Sequence, residues 1–429
     1  MAINLHAAFV HELRWRGFLE AATCEDLEGY FGEASRTCYV GFDPTSDSLH
    51  LGSLVPIMGL AHAQRFGHRP LALVGGGTGL IGDPSGKTAE RNLLTKELSD
   101  HNAAAIGRQL SKFFDLSSPE HGPLLNNADW LLGLGFVEVL RDVGKHFSVN
   151  EMIKRDSVRT RLEERDQGIS YTEFSYMLLQ AYDFWHLYKH HNCTVQMGGS
   201  DQWGNILSGK ELIRRLDSGR GEGITFPLLL TSSGKKFGKT EEGAIWLDAE
   251  RTSPYQMYQY WLQTADADVV RYLKLFTFLN QQAIEDLAAE TAAAPEQRRA
   301  QRVLAAECTG IIHTKESVAA VEAASRILFD ASHEIPSEET LLMLAREVPV
   351  AEIGRGDLDP GVPLVNLLVQ AKLAESKGAA RKLIEGGGVY VNNARVSEVT
   401  KSIRHDDIQW PNALLLRAGK KNHCVVMVR

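Results

Sequence analysis

The sequence predicts an α/β protein built on a parallel sheet, followed by an α-helical region and a small α+β domain. Three observations carry this expectation. Two apolar, strand-like runs, Cys38-Tyr39-Val40 and Pro70-Leu71-Ala72-Leu73-Val74, flank a helical stretch at 53–66. That strand–helix–strand spacing suits parallel pairing, with ligands at the carboxyl ends of the strands. Residues 254–350 are rich in Ala, Glu and Gln and are broken at Pro295, which reads as helix without visible chemistry. Beyond Pro363 a basic helix capped by glycines, 376–387, runs into a strand and turn, Val389-Tyr390-Val391-Asn392-Asn393. Between the last two regions, Ile353 to Pro363 holds five Gly and Pro residues and two acids, the composition of a linker. The expected boundaries are 1–250, 251–350, a linker at 351–362, and 363–429.

Composition narrows the class. The chain has 429 residues, 44% hydrophobic and 23% charged, enough for two or three domains with a sizeable core. It has no run of eighteen apolar residues, so no transmembrane helix and no membrane partner are expected. The first residues, MAINLHAAFVHELRWRG, mix charges into the apolar stretch and read as an amphipathic helix rather than a signal peptide. Five cysteines, at 24, 38, 193, 308 and 424, form no CxxC pair. This argues for a reducing cytoplasm and against a disulfide frame or zinc ribbon. Net charge is −8, yet residues 361–429 carry +6 and the preceding residues −14. The asymmetry fits a basic RNA-contacting appendage on an acidic body; a solvated basic face is the plainer reading.

Taken in order, the first thirty-five residues read as helices. The run Tyr39 to Ser53, YVGFDPTSDSLHLGS, is a strand, a polar turn and a helix start. Such a junction turns backbone N–H groups toward an anion. His50 can donate a hydrogen bond while uncharged, and Gly52 allows close approach to the backbone. Alone, His-x-Gly also fits an ordinary βα turn. Gly77–Gly82 matches GxGxxG and Gly86-Lys87-Thr88 resembles a P-loop end, but both fail. Asp83-Pro84-Ser85-Gly86 is a turn where the fingerprint needs a helix, and the P-loop needs a Gly where Ile81 stands. Residues 91–150 read mainly as helix, with Asn126-Asn127-Ala128-Asp129-Trp130 a polar turn, and Arg155, Arg159, Arg161 and Arg165 as solvated charges near a subunit contact.

Thr172–Leu187, TEFSYMLLQAYDFWHL, is a helix apolar nearly all round. Tyr176, Gln180 and Asp183 fall at i, i+4 and i+7 on one stripe, opposite Phe174, Leu178, Ala181 and Trp185. A buried stripe of this kind needs partners, from a polar ligand or from a self-satisfied network. His186, His190 and His191 are close in sequence, but no third ligand suggests a metal. Cys193 to Trp203 reads as a strand ending in glycines and Asp201, a carboxylate able to hold a ribose diol. Leu229 to Thr240 brings Lys235, Lys236, Lys239 and Thr240 onto a glycine-bearing loop that can neutralise a polyphosphate or be simply a charged surface.

Read together, these segments resemble the class I aminoacyl-tRNA synthetases, and within them the bacterial tyrosyl-tRNA synthetases. Leu49–Ser53 is similar to the "HIGH" signature, led in by Gly41-Phe42-Asp43-Pro44-Thr45. KFGKT, about 190 residues later, is similar to the "KMSKS" signature. The C-terminal pattern resembles the S4-type RNA-binding domain, with Lys377, Arg381 and Lys382 facing phosphates. The resemblance implies a Rossmann-like catalytic domain that joins L-tyrosine to ATP, with Mg²⁺, and then to tRNA(Tyr). It implies a homodimer and no structural metal. It places Tyr39, Asp83, Tyr176, Gln180, Asp183 and Gln196 around tyrosine, Tyr39 and Asp183 at the phenol. It places Gly41, Asp43, His50, Gly52, Ser53, Gly199, Asp201, Gln202 and Lys239 around ATP. Thr45, His50, Lys236, Lys239 and Thr240, helped by Lys87 and Arg91, would stabilise the polyphosphate as the ionised tyrosine carboxylate attacks. Two departures stand out. Ser53 replaces the signature's second His, and Val40 offers no polar side chain where many relatives have cysteine. Two rivals follow: a tryptophanyl synthetase, against which Asp183 opposite Tyr39 and the S4-like tail argue, and a non-catalytic RNA-binding relative, against which His50, Lys236 and Lys239 argue.

Overall fold

Six strands build the first sheet in the order β1-β6-β5-β2-β3-β4. They are β1 (Ala21–Ala22), β2 (Thr37–Phe42), β3 (Arg69–Val74), β4 (Leu124–Asn126), β5 (Cys193–Gly199) and β6 (Glu222–Phe226). β2 through β6 are mutually parallel and β1 closes one edge antiparallel. From β2 the chain moves outward through β3 and β4, then returns to lay β5 on the other side of β2. The order therefore reverses between β2 and β5, and a crevice opens beyond their carboxyl ends, where such sheets bind ligands. The computed structural model describes residues 4–85, 94–118, 121–163, 168–240, 243–329, 335–419 and 422–429. Its chain divides into two units, residues 1–253 with 261–312 and residues 254–260 with 313–429.

The central strands are buried on both faces, as their Val/Leu/Ala-rich runs require. Helices Leu54–Arg65 and Tyr171–His191 cover the sheet, the first with nine buried residues. The 91–150 stretch is less helical than expected. It holds one long helix, Lys96–Leu110, then the three-residue strand β4 and a π-turn at Val139–Val143. A strand that short carries no usable period-2 signal.

The N-terminal helix, Leu5–Arg16, is capped by Asn4, whose side chain accepts from the His6 and Ala7 amides, and stops at Gly17 in the left-handed region. Arg16 is 3% exposed. Its guanidinium donates to the carbonyls of Lys274, Thr277 and Leu279 at 2.6–2.9 Å. It thereby caps the end of helix Asp266–Phe276, whose last carbonyls have no helical partners. Burial lowers its pKa, and Glu12, at 2.6 Å, opposes that drop.

In the second unit a five-stranded sheet runs β12-β11-β14-β15-β9. Its strands are β9 (Val350–Ile353), β11 (Val389–Val391), β12 (Ala394–Val396), β14 (Ala413–Ala418) and β15 (Asn422–Val428); a ribbon pairs β10 (Val362–Pro363) with β13 (Ser402–Ile403). Inside the stretch expected as a linker, β9 extends the sheet in parallel with β15. Asn392 and Asn393 both take positive φ, the two-residue hairpin geometry that turns β11 into β12. Helices Leu364–Gln370 and Lys377–Glu385 bury Leu367, Leu368, Ala380 and Ile384 against Val389, Val391, Leu414 and Leu416. No helix among the described residues is long and apolar enough to cross a membrane.

Replacing Arg16 with Met leaves three carbonyls unpaired in a buried site. The loss of stability is expected to be roughly 2–4 kcal/mol. Urea unfolding measures it; a loss below about 1 kcal/mol would mean that water replaces the guanidinium.

Candidate active site

The crevice at the strand reversal is a cavity of about 690 Å³. Tyr39, Asp183 and Gln196 line it, as do Thr45, His50, Lys236 and Lys239. One concave space therefore joins the two groups of residues that the sequence reading placed at opposite ends of a ligand. Gly41, Asp43, Gly52, Ser53, Asp83, Tyr176, Gln180, Gly199, Asp201 and Gln202 also line it. Lys87 and Arg91 lie outside the described residues, as does the side chain of Thr240, whose backbone belongs to β7 (Lys239–Thr240).

At the closed end, β2 points Tyr39 inward, 1% exposed, against Phe184 at 5.4 Å. Among the described residues its hydroxyl has no hydrogen-bond partner. Burial and the nearby Asp183 raise its pKa well above the ordinary value, so it stays a donor. The Gln196 carbonyl oxygen, on β5, is buried and likewise has no partner among the described residues. Asp183 is 2% exposed and accepts from Asn127 Nδ2 and Trp130 Nε1, each at 2.8 Å. Burial pushes its pKa to about 7, and the two donors only partly oppose that rise. Two orphaned polar atoms that line one cavity suit a polar ligand.

A chain of hydrogen bonds extends from Asp183. Asn127 Nδ2 also donates to Thr78 Oγ1 at 2.9 Å, and Thr78 donates to Asp43 at 2.8 Å. The Tyr176 hydroxyl donates to the other Asp43 oxygen at 2.9 Å. A second cluster sits beside it. Gln202 donates to Asp83 at 2.7 Å, Gln180 donates to Gln202 at 3.1 Å, and Asn205 donates to Gln180 at 2.8 Å. The stripe on helix Tyr171–His191 is thus buried and networked at both Tyr176 and Gln180. Burial and Asp83 raise the pKa of Asp201. His186 stacks on Trp130 at 4.2 Å and stays neutral, its pKa lowered to about 4 by burial and His190. Among the described residues no three His, Cys, Asp or Glu side chains are placed to hold a metal.

At the open end, the His50 Nδ1 accepts the Gly52 amide at 3.0 Å, which leaves Nε2 to carry the proton of the neutral ring. Gly52 serves that ring: a Cβ there would lie 2.8–2.9 Å from His50 Cε1 and Nδ1. Residues 49–51 are tied to the segment after the lysine loop. Leu51 N donates to Ile245 O at 2.9 Å and Leu247 N to Leu49 O at 2.8 Å, with a bridge between His50 and Trp246. Gly238 takes φ +75° and sits so close to Leu51 that a Cβ would approach it at 2.9 Å. Phe237 stacks on Phe276 at 4.9 Å, and Ser232 gives its amide and hydroxyl to buried Asp268 at 2.8–3.1 Å. Lys236 and Lys239 remain exposed, with no carboxylate partner among the described residues. Cations on a loop whose backbone is tied down, beside a neutral donor, make a cradle for a polyanion.

Sequence reasoning missed Asn127, Trp130 and Thr78. The first two belong to the polar turn 126–130, whose composition was the available signal, and Thr78 was hidden inside the misleading GxGxxG match.

Known proteins resemble this chain over nearly its whole length. A family model for class I tRNA synthetases (W and Y) matches residues 33–330. A second, for the tyrosine–tRNA ligase SYY-like C-terminal domain, matches residues 341–426. The tyrosine–tRNA ligase of Roseiflexus castenholzii is 48% identical over 418 residues, 97% of this chain and 98% of its own. That of Bacteroides thetaiotaomicron is 48% identical over 430 residues, 98% of this chain and all of its own. The C-terminally truncated mitochondrial tyrosyl-tRNA synthetase of Aspergillus nidulans superposes with a TM-score of 0.67 at 34% identity, covering 75% of this chain and 94% of its own. A tryptophanyl-tRNA synthetase from Encephalitozoon cuniculi shares the fold, with TM-score 0.53 and 15% identity over 72% of this chain and 87% of its own.

Asp183 has a folded pKa near 7 against an ordinary 3.8. Its contribution to stability is complete below pH 4 and is lost as pH rises through 7. Asp183→Asn should therefore gain stability relative to the wild type between pH 5 and pH 8, by a few kcal/mol in urea unfolding. A constant difference across that range would place the carboxyl's pKa in the ordinary range.

Proposed function

The chain belongs to the class I tRNA synthetases of the tyrosine and tryptophan type, and we infer from that membership that it is a tyrosine–tRNA ligase. It activates L-tyrosine with ATP, releases pyrophosphate, and transfers tyrosine to the 3′ end of tRNA. The near full-length identity to tyrosine–tRNA ligases supports tyrosine over tryptophan within the family.

The residue roles are our reading, and one observation carries them: the orphaned Tyr39 hydroxyl and the Asp183 carboxylate end a cavity that opens onto His50 and the lysine loop. A phenol placed there accepts from Tyr39 and donates to Asp183. Phenylalanine would leave the Tyr39 hydroxyl unpaired and give Asp183 no donor beyond Asn127 and Trp130; the handicap of a missing hydroxyl in a polar site is known for tyrosyl-tRNA synthetase itself. Asp83, Tyr176 and Gln180, with Gln196, form the polar wall for the ammonium and carboxylate. Asp201 and Gln202 with Gly199 face the ribose; Gly41, Asp43, Gly52 and Ser53 border the nucleotide. ATP enters as its Mg²⁺ complex. The tyrosine carboxylate, ionised at neutral pH, attacks the α-phosphorus without a general base. His50 Nε2–H, Thr45, Lys236 and Lys239 then meet the charge that develops on the phosphates, aided by Thr240, Lys87 and Arg91.

The C-terminal unit, with its basic helix Lys377–Glu385 over a sheet, supports an S4-like RNA-binding role in which Lys377, Arg381 and Lys382, all exposed, contact phosphates. We propose a catalytic domain at 1–250, a helical region at 251–350, a junction at 351–362 and an RNA-binding domain at 363–429, whose sheet also takes in β9 from the junction. We also propose a homodimer in the cytoplasm. Leu132, Phe136, Val137, Leu140, Val149 and Ile153, all within one stretch of the sequence, are exposed, Phe136 and Val137 by 67% and 74%, and a second copy would cover them.

Tyrosine-dependent ATP–pyrophosphate exchange should exceed that with phenylalanine or tryptophan by several orders of magnitude. Asp183→Ala should abolish tyrosine activation far more than ATP binding, and equal loss of both would undo the pocket. Lys239→Ala should slow adenylate formation on the order of a hundredfold with tyrosine affinity nearly unchanged; an unaltered rate removes its role. Phe136→Glu should convert the dimer to monomer in sedimentation, whereas an unchanged mass would place the contact elsewhere.

A further inference from the structure

The C-terminal sheet has a second face that the helix residues Lys377, Arg381 and Lys382 do not explain. Val389 and Val391 point into the core beneath the two helices, so Tyr390 between them points to the opposite face. Its cross-strand neighbours are Arg395 on β12 and Arg417 on β14. Leu416 and Ala418 flank Arg417 and are buried, and Val396 packs on the core beside Arg395. The three side chains thus form one row across three strands, arginine–tyrosine–arginine. The Arg417 guanidinium lies 3.8 Å from the centre of the Tyr390 ring. Arg395 is exposed, and its Nε donates to Gly387 O at 2.8 Å. Among the described residues neither guanidinium has a carboxylate partner.

Two unneutralised guanidinium groups about one strand spacing either side of an aromatic ring are an anion site with a stacking plane. Ring and guanidinium planes accept an unpaired nucleobase of any sequence, while the guanidinium edges hold phosphates. We propose that Arg395, Tyr390 and Arg417 form a contact surface for an unpaired segment of RNA, on the face of the sheet opposite the basic helix. The proposal rests on the tRNA-ligase reading above and deepens it: the C-terminal unit would grip its RNA from two sides of one sheet.

The test is binding of a tyrosine-tRNA transcript to the full-length protein across a salt series, with ATP–pyrophosphate exchange measured in parallel. Exchange needs no RNA, so tyrosine-dependent exchange in the wild type reports on the ligase reading separately. Tyr390→Leu should weaken transcript binding on the order of tenfold and Tyr390→Phe should keep it, since stacking needs the ring and not the hydroxyl. Arg395→Gln and Arg417→Gln should each flatten the slope of log affinity against log salt by roughly 0.7–0.9. Exchange should stay at the wild-type level in all four. If Tyr390→Leu unfolds the unit, Arg395→Gln, an exposed position, carries the test alone. Unchanged affinity and slope with intact exchange would overturn the proposal and leave the row as a brace for the sheet.

Discussion

Everything in the site depends on a backbone junction between segments almost two hundred residues apart. Leu49 to Leu51 pair with Ile245 to Leu247, and Gly238 lies flat against Leu51 and Gly52. The junction matters because the groups it carries do not attract one another. Lys235, Lys236 and Lys239 are like charges on one loop, and with no anion present they would drift apart. Main-chain hydrogen bonds, the Ser232–Asp268 contacts and the stacking of Phe237 hold them next to a neutral His50 at no expense to the charges. Cations fixed before the substrate arrives need little rearrangement when phosphate charge develops, which is the main way such a site lowers a barrier without a base.

The opposite end of the cavity works through scarcity. Asp183 is buried with two donors and a raised pKa, and Tyr39 is buried with none. A ligand that supplies one hydroxyl completes both, while a ligand without it leaves both incomplete. The sheet makes this possible by reversing its order between β2 and β5, so that Tyr39, Gln196 and the loop after Phe42 all face one crevice. In the proposed reading, selection and chemistry are two ends of one space, and the network Asp183–Asn127–Thr78–Asp43–Tyr176 runs along its wall.

Much of this was legible in the residues. The strand–turn–helix at 37–65, the helix carrying Tyr176, Gln180 and Asp183, and the glycine-ended strand before Asp201 stand where their patterns put them. Where a dinucleotide loop needs a helix, the described residues that follow β3, up to Ser85, hold a short turn at Thr78–Leu80. Long-range partners were not legible. Nothing near Asp183 in sequence announces that Asn127 and Trp130 will bond to it, because β4 is three residues long and brings them in only after the sheet has formed. Nor did local composition show that the Gly- and Pro-rich stretch after residue 350 would lend the C-terminal sheet a strand, since β9 is recruited by β15, some seventy residues away. The Gly238 approach to Leu51 was hidden for the same reason: a glycine in a lysine loop looks like flexibility until its distant neighbour is known.

The most direct measurement is the position of a bound, non-reactive sulfamoyl mimic of tyrosyl-adenylate in an experimental structure. The account predicts its phenol oxygen within hydrogen-bond distance of both the Tyr39 hydroxyl and an Asp183 oxygen, and its sulfamoyl group on the His50 side of the same cavity. A complex in which the phenol sits away from that pair, or in which the sulfamoyl group lies beyond reach of His50, would contradict it.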